Sequence, residues 1–348
     1  MYAARRSILL ATTLGLFVVA ANGKAQDAQS DEALIRQGVA AYDAGDYAAA
    51  QEAYTAVLLR DPSNVLARYE LAFTQLAMGE FEQCIANASL AASGSSPHRA
   101  RAIALTGNCL AKAGRESDAL KEYRRGLKEF PDDVGLNYNA GVSDARIGDS
   151  KDAKKLFKHA LEVQPSHASS AFAWATLMAD EGNRAPALLT LLRFLMLDHA
   201  SQRAEGAAKT VVTLLGGGVE KKGSDVSISL SVDTPRDEGD FSGLEIGISM
   251  AAASMTAEEP EAKSPAQRVV EALESVVKMA DEMADKKLRK TAVWKLAASR
   301  VVGLQQHGSW QPFGYRVAAL AGLEGGAEWV AAHPQEVAAL EAFLNPVH

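Results

Sequence analysis

Residues 99–131 read RARAIALTGNCLAKAGRESDALKEYRRGLKEFP, and the placing of Gly107, Gly114, Ala119 and Pro131 within them decides the fold. Gly114 is one of five glycines at one spacing, with Gly45, Gly79, Gly148 and Gly182; the intervals are 34, 35, 34 and 34 residues. Seven residues before each stands a small residue: Gly38, Ala72, Gly107, Gly141 and Ala175. Five residues after each stands another: Ala50, Cys84, Ala119, Ala153 and Ala187. Pro62, Pro97, Pro131 and Pro165 close four of the units. Each unit reads as two helices of about three turns. The glycine permits a left-handed turn after the first helix, and the proline ends the second. In the first unit, Ala33 to Asp43 is followed by Gly45-Asp46-Tyr47, then Ala48 to Arg60 and Asp61-Pro62. Small residues at two fixed places per unit let paired helices cross at close range, unit after unit.

This pattern resembles the tetratricopeptide repeat. The family's glycines, alanine, aromatic and proline are visible as Gly107, Gly114, Ala119, Tyr123 and Pro131, and again as Gly141, Gly148, Ala153, Phe157, Ala160 and Pro165. Cys84 replaces the alanine, Ala88 replaces the later aromatic, and the fifth unit lacks its closing proline. The resemblance implies an all-α, right-handed superhelix of about five helix pairs, whose concave groove usually binds peptides or partner proteins. A stacked array needs a polar-faced cap. Ser201 to Leu215, with Ala204, Ala208, Val211, Val212 and Leu215 on one side, suits that role, so the array spans 31–215.

Beyond it, Gly216 to Gly223 reads as a break and a flexible connector. Asp225–Asp233 alternates with period two, a strand, with Leu244 to Met250 as its return after a turn at Pro235 to Gly243. Residues 216–263 are therefore a linker with a β-hairpin. Ser264-Pro265-Ala266-Gln267 is a capping box opening a helix with Val269, Val270, Leu273, Val276, Val277, Ala280 and Met283 on one face. Residues 264–348 are helical and hold Trp294, Trp310 and Trp329, aromatic anchors for a core that is either separate or docked onto the array.

The first residues read as an export signal: Arg5 and Arg6, the apolar run Ile8 to Ala21, then Gly23-Lys24-Ala25 as a cleavage site. That run is shorter than the roughly 20 residues of a membrane span, which favours a cleaved signal over a retained anchor and a periplasmic location. No later stretch is long and apolar enough to span a bilayer. The net charge is −7, and −10 without residues 1–25. An acidic chain without a basic stripe excludes nucleic acid and anionic lipid as main partners. Export would permit a disulfide between Cys84 and Cys109, which fall on neighbouring helices. The other reading is two small buried side chains.

No catalytic set emerges. The chain has no His-Glu-x-x-His, Cys-x-x-Cys or Gly-x-Ser-x-Gly, and its seven histidines are scattered. Neither metal nor cofactor is implied. The basic run Lys286 to Lys290 faces Asp281, Glu282 and Asp285, as a solvated helix face does.

The groove remains. In the family, the first helix of each unit lines it. Carried over, that set is Ile35, Val39 and Tyr42; Tyr69, Phe73 and Leu76; Arg101, Asn108 and Lys112; Tyr138, Val142 and Arg146; then Phe172 and Thr176. Members that clamp a C-terminal carboxylate carry Lys and Asn where Ile35 and Val39 stand, so that ligand is not expected. The resemblance instead implies an aromatic wall with a basic centre at Arg101, Lys112 and Arg146, suited to a partner segment with apolar side chains and some acid. The hairpin, the C-terminal helices or the Gln26–Ser30 tail are rival occupants from within.

Overall fold

The computed structural model describes residues 30–94, 96–222, 225–228, 238–256 and 263–345. The expected export signal, residues 1–25, lies outside them, as do the second half of the expected strand (229–233), the start of the expected turn (235–237) and the linker at 257–262.

Ten helices form five antiparallel pairs: α1 (Asp31–Asp43) with α2 (Tyr47–Arg60), α3 (Val65–Met78) with α4 (Phe81–Ser93), α5 (Arg99–Lys112) with α6 (Glu116–Glu129), α7 (Val134–Arg146) with α8 (Ser150–Val163), and α9 (Ala168–Asp180) with α10 (Arg184–Leu197). Their starts are written locally. Ser30, Asp46, Asn64, Asp133 and Asp149 each accept a hydrogen bond from the backbone N–H three residues on, satisfying a donor the helix leaves free. Their turns are written by the phased glycines. All five have φ between 77° and 88°, and the residue after each donates back across the turn: Asp46 to Ala41, Glu80 to Gln75, Arg115 to Leu110, Asp149 to Asp144 and Asn183 to Met178, at 2.8–2.9 Å. This is the Schellman closure.

The other small positions set the distance within each pair. A Cβ on Gly38 would lie 2.5 Å from the Tyr54 ring, and one on Gly141 would lie 2.6 Å from Phe157. Gly107 faces Tyr123 in the same way. In the second unit, where Ala88 replaces the aromatic, Ala72, Cys84, Ala88, Leu105 and Cys109 form one buried cluster. Within it Cys84 of α4 and Cys109 of α5 are bonded to each other, with Cα atoms 5.9 Å apart.

The chain continues as α11 (Gln202–Gly216), strands β1 (Val219–Lys222) and β2 (Asp225–Ile228), α12 (Ser242–Met255) and α13 (Pro265–Met283). A single π turn, Trp294–Ala298, leads into α14 (Ser299–Gln306), followed by α15 (Trp310–Leu320), α16 (Gly326–Ala332) and α17 (Pro334–Leu344). One buried cluster runs from Ala153 to Leu340, so the C-terminal region shares its core with the last two units. The reason lies in α10, whose sequence RAPALLTLLRFLML is apolar on every side and buried nearly throughout. A helix of that kind must be covered on both faces. Polar contacts fix the join. Glu245 of α12 accepts the Ala185 N–H at the start of α10 at 2.7 Å, where a carboxylate also meets the positive end of the helix dipole. Arg184 donates to the carbonyl oxygens of Leu214 and Leu215 and to Ser249 Oγ. Glu238, buried, accepts from Trp174 Nε1 at 3.3 Å and from Lys158 at 3.4 Å.

Four expectations are corrected here. The hairpin is built differently: β2 pairs antiparallel with β1, Val219 opposite Ile228 and Lys222 opposite Asp225. The expected return strand, Leu244 to Met250, is instead the body of α12. The connector through Lys221 and Lys222 is accordingly a strand. The α11 helix packs on α10 and is itself covered by α12, α13 and α15, so it does not end the array alone. Met283, placed on the buried face of α13, is 49% exposed.

Candidate binding groove

The first helices α1, α3, α5, α7 and α9 neighbour one another in succession. Six of the expected groove residues, Leu76, Asn108, Lys112, Tyr138, Val142 and Arg146, line a single depression of about 260 Å³. Its remaining walls are Ala111, Tyr123, Asn139 and Ser143, and among the described residues none of the lining lies beyond Arg146.

Tyr123 belongs to a second helix, so a rule confined to first helices misses it. The signal was Gly107: with no Cβ there, the Tyr123 ring passes between the helices and its hydroxyl donates to Asn108 Oδ1 at 2.7 Å. Glu116 was missed as well. It accepts from Ser143 Oγ at 2.6 Å and from Arg146 at 3.3 Å, so Arg146 enters the depression partly neutralised. Lys112, exposed, has no ion pair or hydrogen bond among the described residues.

The other expected residues lie to either side. Toward the N-terminus, Tyr42 contacts Tyr47 and Phe73 with ring centroids 5.2 Å apart in each case, and Tyr69 stacks on Phe73 at 6.4 Å. Phe73 and Val39 are 38% and 39% exposed, whereas Ile35 packs inward against the core of the first pair. Arg101 does not line the depression. It acts on Glu70, whose carboxyl pKa is raised by burial and by Asp43 and drawn back by His98 and Arg101. The expected basic centre is therefore divided: Lys112 and Arg146 stand together, and Arg101 stands beside an acid. At the far end Phe172 packs on Phe194 at 5.0 Å beneath the Arg203 guanidinium, and the Thr176 hydroxyl donates to the Phe172 carbonyl. His167 edges Tyr138 at 5.4 Å, its pKa lowered by burial and by Arg203.

A larger depression, about 620 Å³, lies apart from the groove between α13 and α14, lined by Glu271, Glu274, Lys278, Asp281 and Glu282 with Gln305 and Gln306. Among the described residues no three His, Cys, Asp or Glu side chains stand together as metal ligands, and no helix is long and apolar enough to cross a membrane. Arg289 of the basic run bonds Asp281 at 2.8 Å, and its neighbours Lys286, Lys287 and Lys290 are exposed.

Phased pairs, left-handed glycine turns and a ligand-sized depression along the first helices define a helical repeat array of the binding kind. Two tetratricopeptide-repeat family models match the chain, over residues 41–87 and 74–134, so its array contains tetratricopeptide repeats. No curated protein matches it. Solved structures resemble it in fold. The pilF protein of Pseudomonas aeruginosa is 20% identical with a TM-score of 0.47, the match covering 53% of this chain and 83% of that one. PilW, described as a widely conserved type IV pilus biogenesis factor, is 14% identical with a TM-score of 0.46, covering 74% and 96%. A thermophilic repeat protein of Thermus thermophilus is 20% identical with a TM-score of 0.44, covering 53% and 99%.

Proposed function

We propose that this protein is an exported scaffold of the cell envelope, which binds a segment of a partner protein in its concave groove and turns over no substrate. One observation carries the reading: the depression draws six residues, chosen by their place in the repeat, from three successive units. A wall so shared is continuous along the array, and its mixture of Leu76, Tyr138 and Val142 with Lys112 and Arg146 suits an apolar segment carrying an acid. Burying one aromatic side chain of about 150–250 Å² gives roughly 4–6 kcal/mol gross. Ordering the partner offsets much of that, which points to affinity near micromolar. Among the described residues the depression's lining includes none of the C-terminal helices, which speaks against those helices as its occupant.

Pull-down from an envelope extract tests the reading. The captured partner should be lost on Tyr69→Ala with Phe73→Ala while the helical circular dichroism stays intact. Unchanged capture would rule out the groove. Export is tested separately, by N-terminal sequencing of the chain from the periplasmic fraction; a sequence beginning at Met1 would rule out cleavage.

A further inference from the structure

Where the groove begins, four aromatic rings follow one another: Tyr47, Tyr42, Phe73 and Tyr69, with centroid separations of 5.2, 5.2 and 6.4 Å. The carboxylates of Asp43 and Glu70 both lie close enough to Tyr42 to raise its pKa, after burial and alongside Tyr47. Neither carboxylate makes a hydrogen bond or an ion pair among the described residues. Asp43 is exposed, but Glu70 is half-buried and raised by desolvation, and Arg101 and His98, which act on it, stay beyond ion-pair distance. A half-buried carboxylate without a bonded partner costs stability. Aromatic faces carry negative charge at their centres. Both features are satisfied by one kind of group, a cation laid across the rings with its N–H donors toward the carboxylates.

We propose that this aromatic end of the groove receives a lysine or arginine side chain of the partner segment, while the same segment presents a carboxylate to Lys112. The proposal rests on the groove reading above. Its two subsites adjoin through α3: Leu76, which lines the depression with Lys112, is one turn beyond Phe73, about 4.5 Å along the helix axis. The partner therefore crosses the groove in a fixed direction, cation first at the N-terminal unit, then an apolar side chain over Leu76, then the acid. A segment with its charges reversed would place a carboxylate against Glu70 and an ammonium against Lys112, so the groove reads the order of charges as well as their presence.

The test uses blocked amino acids as probes on the full chain, with the tyrosine and phenylalanine rings isotope-labelled for NMR. N-acetyl-arginine amide should shift the rings of Tyr42, Tyr69 and Phe73. Its uncharged isostere, N-acetyl-citrulline amide, should bind about tenfold more weakly. Glu70→Gln should weaken the arginine probe by a similar factor without lowering the thermal midpoint, which separates lost recognition from lost folding. Equal binding of the two probes, ring shifts elsewhere, or indifference to Glu70→Gln would overturn the inference. If the captured partner still requires Phe73 in that event, the groove stands and only its charge preference falls. If capture survives the loss of Tyr69 and Phe73, the groove reading falls and this inference with it.

Discussion

The phased glycines do two different jobs, and substituting them should separate the two. Gly141 is small because Phe157 occupies the space a Cβ would fill. Gly148 has open space around it but sits at φ 88°. Gly141→Ala should therefore lower stability by about 1–3 kcal/mol through overpacking, and adding Phe157→Leu should restore part of the loss. Gly148→Ala should cost about 1–2 kcal/mol through backbone strain and gain nothing from any nearby truncation. Thermal unfolding followed by circular dichroism distinguishes them; rescue of both, or of neither, would contradict the assignment. Glu70 gives a second prediction. Its folded pKa is raised above the usual 4.5, chiefly by burial. Stability from the protonated form is thus fully present below about pH 4.5 and lost as pH rises through the folded value. Glu70→Gln should raise the thermal midpoint at pH 7 and leave it nearly unchanged at pH 4, and an equal effect at both would remove the burial argument. The turn glycines were legible because only one residue type serves a left-handed turn cheaply. Tyr123 in the groove was not, since its place depends on a gap in a neighbouring helix.

Within the second unit, two missing features coincide. Ala88 stands where Tyr54, Tyr123 and Phe157 bridge three of the other pairs, and the Cys84–Cys109 bond lies beside it, joining α4 to α5. The bond closes 25 residues, for which loop entropy gives roughly 3 kcal/mol. Cys84→Ala with Cys109→Ala should lose stability of that order, in a way that unfolding and refolding under reductant reproduces in the unsubstituted chain, since both sulfurs are buried in the fold. A melting curve unchanged by that treatment would mean the bridge contributes nothing. The elements also show where patterning misleads. Leu244, Ile246, Ile248 and Met250 alternate with Glu245, Gly247 and Ser249, which reads as a strand. As a helix the segment places Leu244, Ile248, Ala251 and Ala252 on one face, and these are buried together with Glu245, Gly247 and Ser249. Gly243 and Gly247 settle the choice in three dimensions, because the Met283 and Met279 side chains of α13 lie against them. A short apolar run cannot show this by itself. Asp225 to Ile228 does form a strand, but its partner, Val219 to Lys222, was hidden in a glycine- and lysine-rich stretch without apolar alternation.

At the scale of the molecule, the last two pairs and the C-terminal helices share one core. Leu188, Leu192 and Leu195 of α10 are fully buried or nearly so, within the cluster that also holds Val276, Trp294 and Phe313. A chain ending at Leu215 should therefore expose an apolar face and aggregate or bind a hydrophobic dye. A soluble monomer with native melting behaviour would show that the C-terminal helices are dispensable. The array was legible because each unit repeats the same local instructions, and the first-helix set led to most of one depression. The division of the basic centre was not, because Glu116 and Glu70 reach their partners only through stacking. The most direct measurement is site-specific photo-crosslinking in the cells that make the protein, with the reactive side chain at Phe73, Leu76 or Tyr138 in the groove, or at Leu59, Leu90 or Val163, exposed on the second helices. A single partner should be captured from the groove positions and not from the second-helix positions. Capture from the second helices alone would contradict the account.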